Sequence, residues 1–90
     1  MGNTSPVIQR VQAPEYCKLV VETSDGKRIF SDLSNFRQVY CFPKDQDAWS
    51  KVSIDAYGLG LIWSSRFEVH VDQVIGTATK SENLRRPVAG

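Results

Sequence analysis

The sequence predicts an α+β fold: a small antiparallel sheet of about five short strands, with two short helical segments packed on one face. Runs rich in β-branched and aromatic residues recur along the chain between turn residues, as antiparallel strands do. An Asp-Gly pair between two of these runs indicates a tight hairpin, and two polar stretches begin with residues that favour helix starts. Ninety residues provide one modest hydrophobic core, so we expect a single domain.

The domain is expected to span residues 7–79, between a flexible lead at residues 1–6 and a flexible tail at residues 80–90. Both ends are polar and offer few apolar groups to offset the entropy of ordering them. Residues 7–13 resemble a short first strand. Pro14 is expected to close this strand, because proline cannot donate a ladder hydrogen bond.

Residues 16–23 and 27–31 are predicted to form a hairpin. Asp25 and Gly26 are assigned as its two-residue turn, because both positions of such a turn need positive φ, which Asp tolerates and Gly prefers. A turn of this length fixes which residues of the two strands face each other.

The predicted register of this hairpin places Val21 opposite Phe30 and Glu22 opposite Ile29. Side chains alternate between the two faces of a strand, so Leu19, Val21 and Phe30 would share one face. The strongly apolar character of these three residues assigns that face to the core.

The segment after the hairpin predicts a break and then a helix. Residues 32–35 are rich in side chains that bond to their own backbone, so the strand should end there, and Ser34 can cap a short helical turn over residues 35–40. Residues 44–51 predict one or two helical turns. Pro43 suits a helix start, and the acidic side chains that follow suit the positive end of the helix dipole.

The second half of the chain predicts three more strands and a helix. Residues 52–56 alternate between apolar and polar, residues 57–60 supply a turn, and residues 61–63 return as a more buried strand. Residues 67–71 alternate again. A short helix is then predicted over residues 72–79, capped by Asp72 and with Val74, Ile75 and Ala78 facing inward.

Charge and composition exclude several classes of function. The net charge is +1, and basic and acidic residues are interleaved before the tail, so the chain lacks the basic stripe of a dedicated nucleic-acid binder. No apolar run approaches the ~20 residues that a membrane span needs. Cys17 and Cys41 are expected to be two reduced, largely buried thiols, and the protein is expected to be cytoplasmic.

The order of these motifs resembles the small bacterial domain-of-unknown-function family 2442, over residues 7–76. The resemblance rests on a Tyr-x-Leu-x-Val strand, an Asp-Gly turn, an Asp-Leu-Ser step, a Phe with an acidic turn, a Val-x-Ile-Asp strand, and a Gly followed by a buried Trp. The residues concerned after the turn are Asp32, Leu33, Ser34, Phe42, Asp45, Val52, Ile54, Asp55, Gly60 and Trp63.

The resemblance implies a compact α+β fold with an antiparallel sheet and short helices, and it implies no established activity. Some relatives are fused to a helix-turn-helix, and others are encoded beside small toxin-like proteins, which suggests regulatory or antitoxin-like roles. This chain departs from the family pattern after the Trp, where Ser64, Ser65 and Arg66 stand in place of a Pro and a Gly. A helix-turn-helix after residue 76 is therefore not expected.

The residues that could carry chemistry do not form a recognisable constellation. His70 is the only histidine, with Glu68 two residues away, and neither cysteine belongs to a Cys-x-x-Cys pair. A Cys–His nucleophile would require Cys17 or Cys41 to meet His70 in space. We therefore predict no catalytic residue, no metal and no cofactor.

A partner-binding site is the remaining candidate. Aromatic residues with Arg are enriched at interface anchors, and such residues cluster near the end of the domain. A small open sheet also leaves edge strands, for which residues 7–13 and 67–71 are the candidates. The candidate partner-binding residues are Tyr57, Arg66, Phe67, Glu68 and His70.

The sequence therefore favours a non-enzymatic protein-interaction module, either self-associating as a homodimer or binding a partner protein in an antitoxin-like role. One alternative is a transcription-regulatory accessory domain that touches nucleic acid through its basic tail. A second is a small hydrolase or ligand-binding domain that uses Cys or His.

Overall fold

The computed structural model describes residues 6–83, which form seven strands and two short α-helices. The elements in chain order are β1 (Ile8–Glu15), β2 (Lys18–Thr23), β3 (Lys27–Asp32), α1 (Gln46–Trp49), β4 (Ser53–Ile54), β5 (Gly60–Ile62), β6 (Glu68–His70), α2 (Val71–Gly76) and β7 (Ala78–Asn83). A single 3-10 turn at Ser34–Phe36 follows β3.

The strands form two antiparallel sheets, in the orders β1-β2-β3-β7 and β4-β5-β6. The α+β class is as predicted, but the expected single sheet of about five strands is wrong in count and arrangement. The short strands β4, β5 and β6 pair only with each other. A seventh strand, β7, pairs with β3. Both expected edge segments do lie at edges, because β1 and β6 each end a sheet.

The β7 strand corrects the expected domain boundary at residue 79. Residues 80–83, assigned from sequence to the tail, pair antiparallel with β3, for example Lys80 with Phe30 and Glu82 with Arg28. A polar strand can form here because Lys80 and Glu82 also contact those partners through cation–π and ionic contacts. The expected lead up to residue 5 and the tail from residue 84 lie outside the described residues.

The hairpin between β2 and β3 is confirmed, but its predicted register is wrong by one residue. Val21 lies opposite Ile29 and Glu22 opposite Arg28. The loop has three residues instead of two: the Gly26 N–H donates to the Thr23 carbonyl at 3.0 Å, and Gly26 alone adopts positive φ, at 82°. This is a β-turn followed by a left-handed glycine, which adds one residue to one side of the loop.

The shift in register moves Phe30 off the core face. A slip of one residue sends every side chain of a strand to the opposite face, so β3 contributes Ile29 and Ser31 to the core instead. Phe30 lies half-buried on the other face of the sheet, opposite Val20. Leu19 and Val21 face the core as predicted.

The two helices are shorter than predicted, and the second has a different cap. Asp45 caps α1, since its carboxylate accepts the Ala48 N–H at 2.9 Å. The predicted cap of α2, Asp72, lies in its first turn, and His70 is the cap. Because α2 therefore begins at Val71, its buried side chains are Val71 and Val74, while Ile75 and Ala78, both predicted to face inward, are exposed.

The core is organised around six aromatic rings in contact with one another. Trp49 of α1 is fully buried, stacks on Trp63 with centroids 4.8 Å apart, and stacks on Phe42 at 5.3 Å. Its indole N–H donates to the Lys18 carbonyl at 2.9 Å, while the Trp63 indole donates to the Trp49 carbonyl at 2.8 Å. The six rings are Tyr16, Phe36, Phe42, Trp49, Trp63 and Phe67.

Two further sequence expectations concern thiols and membranes. Cys17 and Cys41 are free thiols, the first buried and the second half-buried, as predicted. Within residues 6–83 there is no helix with the length and apolar character needed to cross a membrane.

Candidate functional site

The free edge of β6 borders an apolar groove of about 310 Å³, called the edge groove below. One wall is the 3-10 turn with the loop that follows it, and the other is β6 with the turn that precedes it. The start of α2 closes one side. The lining residues are Phe36, Val39, Cys41, Arg66, Phe67, Glu68, Val69 and Gln73.

The backbone of Glu68 points away from the sheet. The Trp63 N–H donates to the Phe67 carbonyl at 2.9 Å, and the Val71 N–H donates to the Leu59 carbonyl at 2.8 Å. In an antiparallel ladder alternate residues direct their N–H and C=O to the same neighbour, so the groups of Glu68 face the free edge. Outside the ladder of the sheet, neither group bonds to the backbone of another of residues 6–83.

Three of the five sequence-predicted site residues line this groove and a fourth lies beside it. Arg66 and Glu68 are exposed at its rim, whereas Phe67 is buried and forms its floor. His70 follows at the end of β6 with an exposed side chain. Tyr57 is not part of this group: it is exposed in the turn between β4 and β5 and does not line the groove.

Sequence reasoning missed the opposite wall of the groove. Val39, which lines this wall, is exposed, and its neighbour Tyr40, which does not line the groove, is fully exposed. The segment containing them was assigned to a short helical turn, whereas the structure ends that turn at Phe36 and continues as an irregular loop. Two neighbouring exposed apolar residues in a polar loop were the signal that could have identified this wall.

Arg66 adopts a left-handed backbone conformation, with φ of 76°. It closes the turn before β6, where its N–H donates to the Trp63 carbonyl at 3.0 Å. A side chain at such φ is strained, and strain of this kind persists where surrounding structure or function holds it. This is the position at which glycine would be the expected residue, and Arg66 places a cation at the rim of the groove instead.

Arg66→Gly is therefore expected to stabilise the domain by about 1 kcal/mol, because glycine adopts positive φ without a Cβ clash. The measurement is the midpoint of urea unfolding. Arg66→Ala is the control, since it removes the guanidinium but keeps the strain, and its midpoint should stay close to that of the wild type. Equal midpoints for the Gly and Ala variants would contradict the strained conformation.

The titratable groups near the groove do not form a catalytic arrangement. His70 is engaged as the cap of α2. Its ring Nδ1 accepts the backbone N–H of Asp72 at 3.1 Å, and its backbone N–H donates to Gln73 Oε1 at 2.8 Å. Burial raises the pKa of the Cys17 thiol, which Arg37 only partly opposes, so its thiolate is disfavoured at neutral pH. Among residues 6–83, no three His, Cys, Asp or Glu side chains are placed to share a metal ion.

A second surface, called the outer face below, is the side of the four-stranded sheet that points away from the core. A hollow of about 620 Å³ lies over the part of this side that carries Lys18, Val20, Phe30 and Asp32, and neither helix contributes a residue to the lining. The side chains of the outer face are Arg10, Gln12 and Glu15 from β1, Lys18, Val20 and Glu22 from β2, Arg28, Phe30 and Asp32 from β3, and Lys80 and Glu82 from β7.

These side chains lie in rows that cross the strands. The first row reads Arg10, Glu22, Arg28, Glu82 and alternates in charge, with Arg28 at 3.2 Å from Glu22 and 3.8 Å from Glu82. The second row reads Gln12, Val20, Phe30, Lys80 and is apolar at its centre. The third row reads Glu15, Lys18, Asp32 and also alternates in charge.

Comparisons with known proteins do not add a relative to this description. No family model matches the chain, and neither a curated protein nor a solved structure matches it.

Proposed function

We propose that this protein is a non-enzymatic protein-interaction module that binds an extended segment of a partner protein along β6. The observation that carries the proposal is the outward-facing backbone of Glu68 beside the apolar edge groove. An added strand can bond to the N–H and C=O of Glu68, and the groove can receive one of its side chains. Main-chain bonds then supply affinity and the groove supplies specificity.

The two sides of β6 define the chemistry of that partner segment. Phe67 and Val69 are buried on one side, whereas the side chains of Glu68 and His70 are exposed on the other. The side chains of a strand added beside β6 alternate between the same two sides of the sheet. Its inward side chains meet the apolar wall formed by Phe36 and Val39, and its outward side chains lie beside the Glu68 carboxylate. The best-fitting partner segment alternates apolar and cationic residues.

The resemblance to family 2442 supports the same class of function. Because relatives in that family are encoded beside small toxin-like proteins, an antitoxin-like role is a specific form of this proposal, with the partner segment belonging to such a neighbour. The antitoxin-like role therefore includes the proposal that this chain belongs to family 2442.

The alternatives drawn from the sequence receive less support. A Cys/His hydrolase would need an available imidazole and a reactive thiol, whereas His70 is engaged as a cap and Cys17 is buried. A nucleic-acid role through the basic tail depends on Arg85 and Arg86, which lie outside the described residues. On the outer face, charges alternate in sign and so do not form a basic stripe.

The test uses a fluorescently labelled octapeptide of alternating valine and lysine, with binding measured by fluorescence anisotropy. The wild type should bind this peptide at least tenfold more tightly than an alternating valine and glutamate octapeptide, or one with valines and lysines in two blocks. Glu68→Lys should reverse the preference between the lysine and glutamate peptides, since the outward side chains of the added strand lie beside residue 68.

Two matched pairs of variants locate the binding. Val39→Lys should weaken it at least tenfold, whereas Ile75→Lys, outside the groove, should not, although the two side chains are similarly exposed, at 43% and 41%. Glu68→Pro removes the outward N–H and should abolish binding of the alternating valine and lysine peptide. Glu68→Ala keeps this N–H, and it should bind the peptide with valines and lysines in two blocks no more tightly than the wild type does. Equal affinity of wild type and Val39→Lys, or equal affinity for all three peptides, would refute the proposal.

A further inference from the structure

The outer face of the four-stranded sheet carries a charge pattern that is complementary to itself. Its first row reads positive, negative, positive, negative from β1 to β7. The same row read in reverse order begins with a negative charge. A second copy laid over the first with reversed strand order therefore places each charge opposite its complement.

We propose that two copies of this chain associate through their outer faces about a twofold axis that runs parallel to the strands, between β2 and β3. Such an axis superposes β1 of one copy on β7 of the other and β2 on β3. It generates an isologous interface, in which one surface patch pairs with itself. The two sheets then stack as in a β-sandwich, about 10 Å apart and rotated by about 30° because of their twist.

All three rows of the outer face fit this arrangement. In the first row, Arg10 lies opposite Glu82 of the second copy and Glu22 lies opposite Arg28 of the second copy. In the third row, Lys18 lies opposite Asp32 of the second copy. The pairings that the twofold axis generates leave no like charges opposite each other in these rows.

The second row supplies the apolar centre of the interface. Val20 and Phe30 are half-buried within one chain and are neighbours across β2 and β3. The twofold axis places Val20 of one copy over Phe30 of the other, so four apolar side chains meet in the middle of the contact. Charged rows surround them, which is the usual anatomy of an apolar core with a polar rim.

The size of the face predicts a weak dimer. Four strands at about 4.8 Å spacing and three rows at about 7 Å spacing cover roughly 400 Å² of flat area per copy. The total is therefore close to the lower limit for a specific interface, about 1,000 Å² of accessible surface. We expect dissociation in the micromolar to hundred-micromolar range, and weakening with salt because the rim charges are exposed.

The test mixes two variants of the full chain that should each fail to self-associate. Arg10→Glu places two acidic residues opposite each other at residues 10 and 82 of the dimer, and Glu82→Arg places two basic residues there. In the mixed dimer the new Glu faces the new Arg, and the native Glu82 faces the native Arg10. Sedimentation velocity at concentrations from about 10 μM to 1 mM measures the association.

The expected result is dimer for the wild type, at least tenfold weaker association for each variant alone, and recovery in the equimolar mixture. Lys44→Glu and Asp47→Lys, exposed residues that do not line the outer-face hollow, impose the same net charges and should each dimerise as the wild type does. Circular dichroism verifies that all variants are folded.

Three outcomes would overturn the proposal. A wild type that remains monomeric at 1 mM would show that the face is not occupied by a second copy. Unchanged dimerisation of Arg10→Glu with loss in Glu82→Arg would place the contact at the β7 edge. Variants that both weaken but do not recover on mixing would refute the twofold geometry. None of these outcomes bears on peptide binding at the edge groove, which is measured below 10 μM.

Discussion

Trp49→Ala should lower the free energy of unfolding by about 3–5 kcal/mol. Trp49 is fully buried and stacks on both Trp63 and Phe42. Its removal leaves a cavity and an unpaired carbonyl at Lys18, whose partner is the Trp49 indole N–H. For a domain of this size, with roughly 5–13 kcal/mol in total, that is a large fraction.

Urea unfolding monitored by circular dichroism measures this effect. Trp49→Phe is the matched variant: it keeps a stacked ring between Trp63 and Phe42 but loses the N–H, so its cost should be about 1–3 kcal/mol. A Trp49→Ala variant that loses less than 1 kcal/mol would mean that the aromatic cluster does not hold the two sheets together.

Gly60→Ala should destabilise the domain by about 2–3 kcal/mol, through steric conflict. A Cβ at Gly60 would lie 2.7 Å from the carbonyl oxygen of Val69, which belongs to the neighbouring strand β6 and cannot rotate away as a side chain can. The two strands would have to separate locally. Because this contact holds β6, the substitution should also weaken peptide binding at the edge groove.

Gly76→Ala provides the control for this prediction. Gly76 ends α2, and a Cβ there meets nothing within 4 Å. Alanine favours the helix over glycine, so this variant should be neutral or more stable by up to about 1 kcal/mol. Urea unfolding of both variants decides the matter: equal midpoints would contradict the close approach of β5 and β6.

The sequence predicted the fold class and the location of most strands, because these depend on local patterns. The hairpin illustrates the limit of that reasoning. Asp25 and Gly26 identify the turn correctly, but Thr23 and Ser24 decide its length, since the Gly26 N–H bonds to Thr23 and the Ser24 N–H to the Val7 carbonyl. That second contact joins residues far apart in the chain, and no local pattern contains it.

The β7 strand was missed for a related reason. Its residues after Ala78 are polar, and all but one of the six are exposed, so neither alternation nor hydrophobicity marks it as a strand. It forms because β3 offers an unpaired edge and because Lys80 and Glu82 meet Phe30 and Arg28 across the ladder. Without β7, the complementary charge pattern of the outer face could not be seen from the sequence.

The candidate site was predicted in part. Arg66, Phe67 and Glu68 do come together, because they are consecutive and run from the turn before β6 into this edge strand. Tyr57 was included because it is aromatic and near a turn, yet it lies in the turn between β4 and β5 and does not line the groove. The opposite wall, with Val39, depends on long-range packing of a loop against β6.

The central claim is that the free edge of β6 receives an added strand, and amide hydrogen exchange at Glu68 tests it most directly. In the free protein this outward N–H should exchange rapidly, whereas the amides of Val71 and Trp63, which donate to backbone carbonyls, should be protected. Saturation with the alternating valine and lysine octapeptide should slow exchange at Glu68 at least tenfold and leave the other two unchanged. Bound peptide with unchanged exchange at Glu68 would contradict the account.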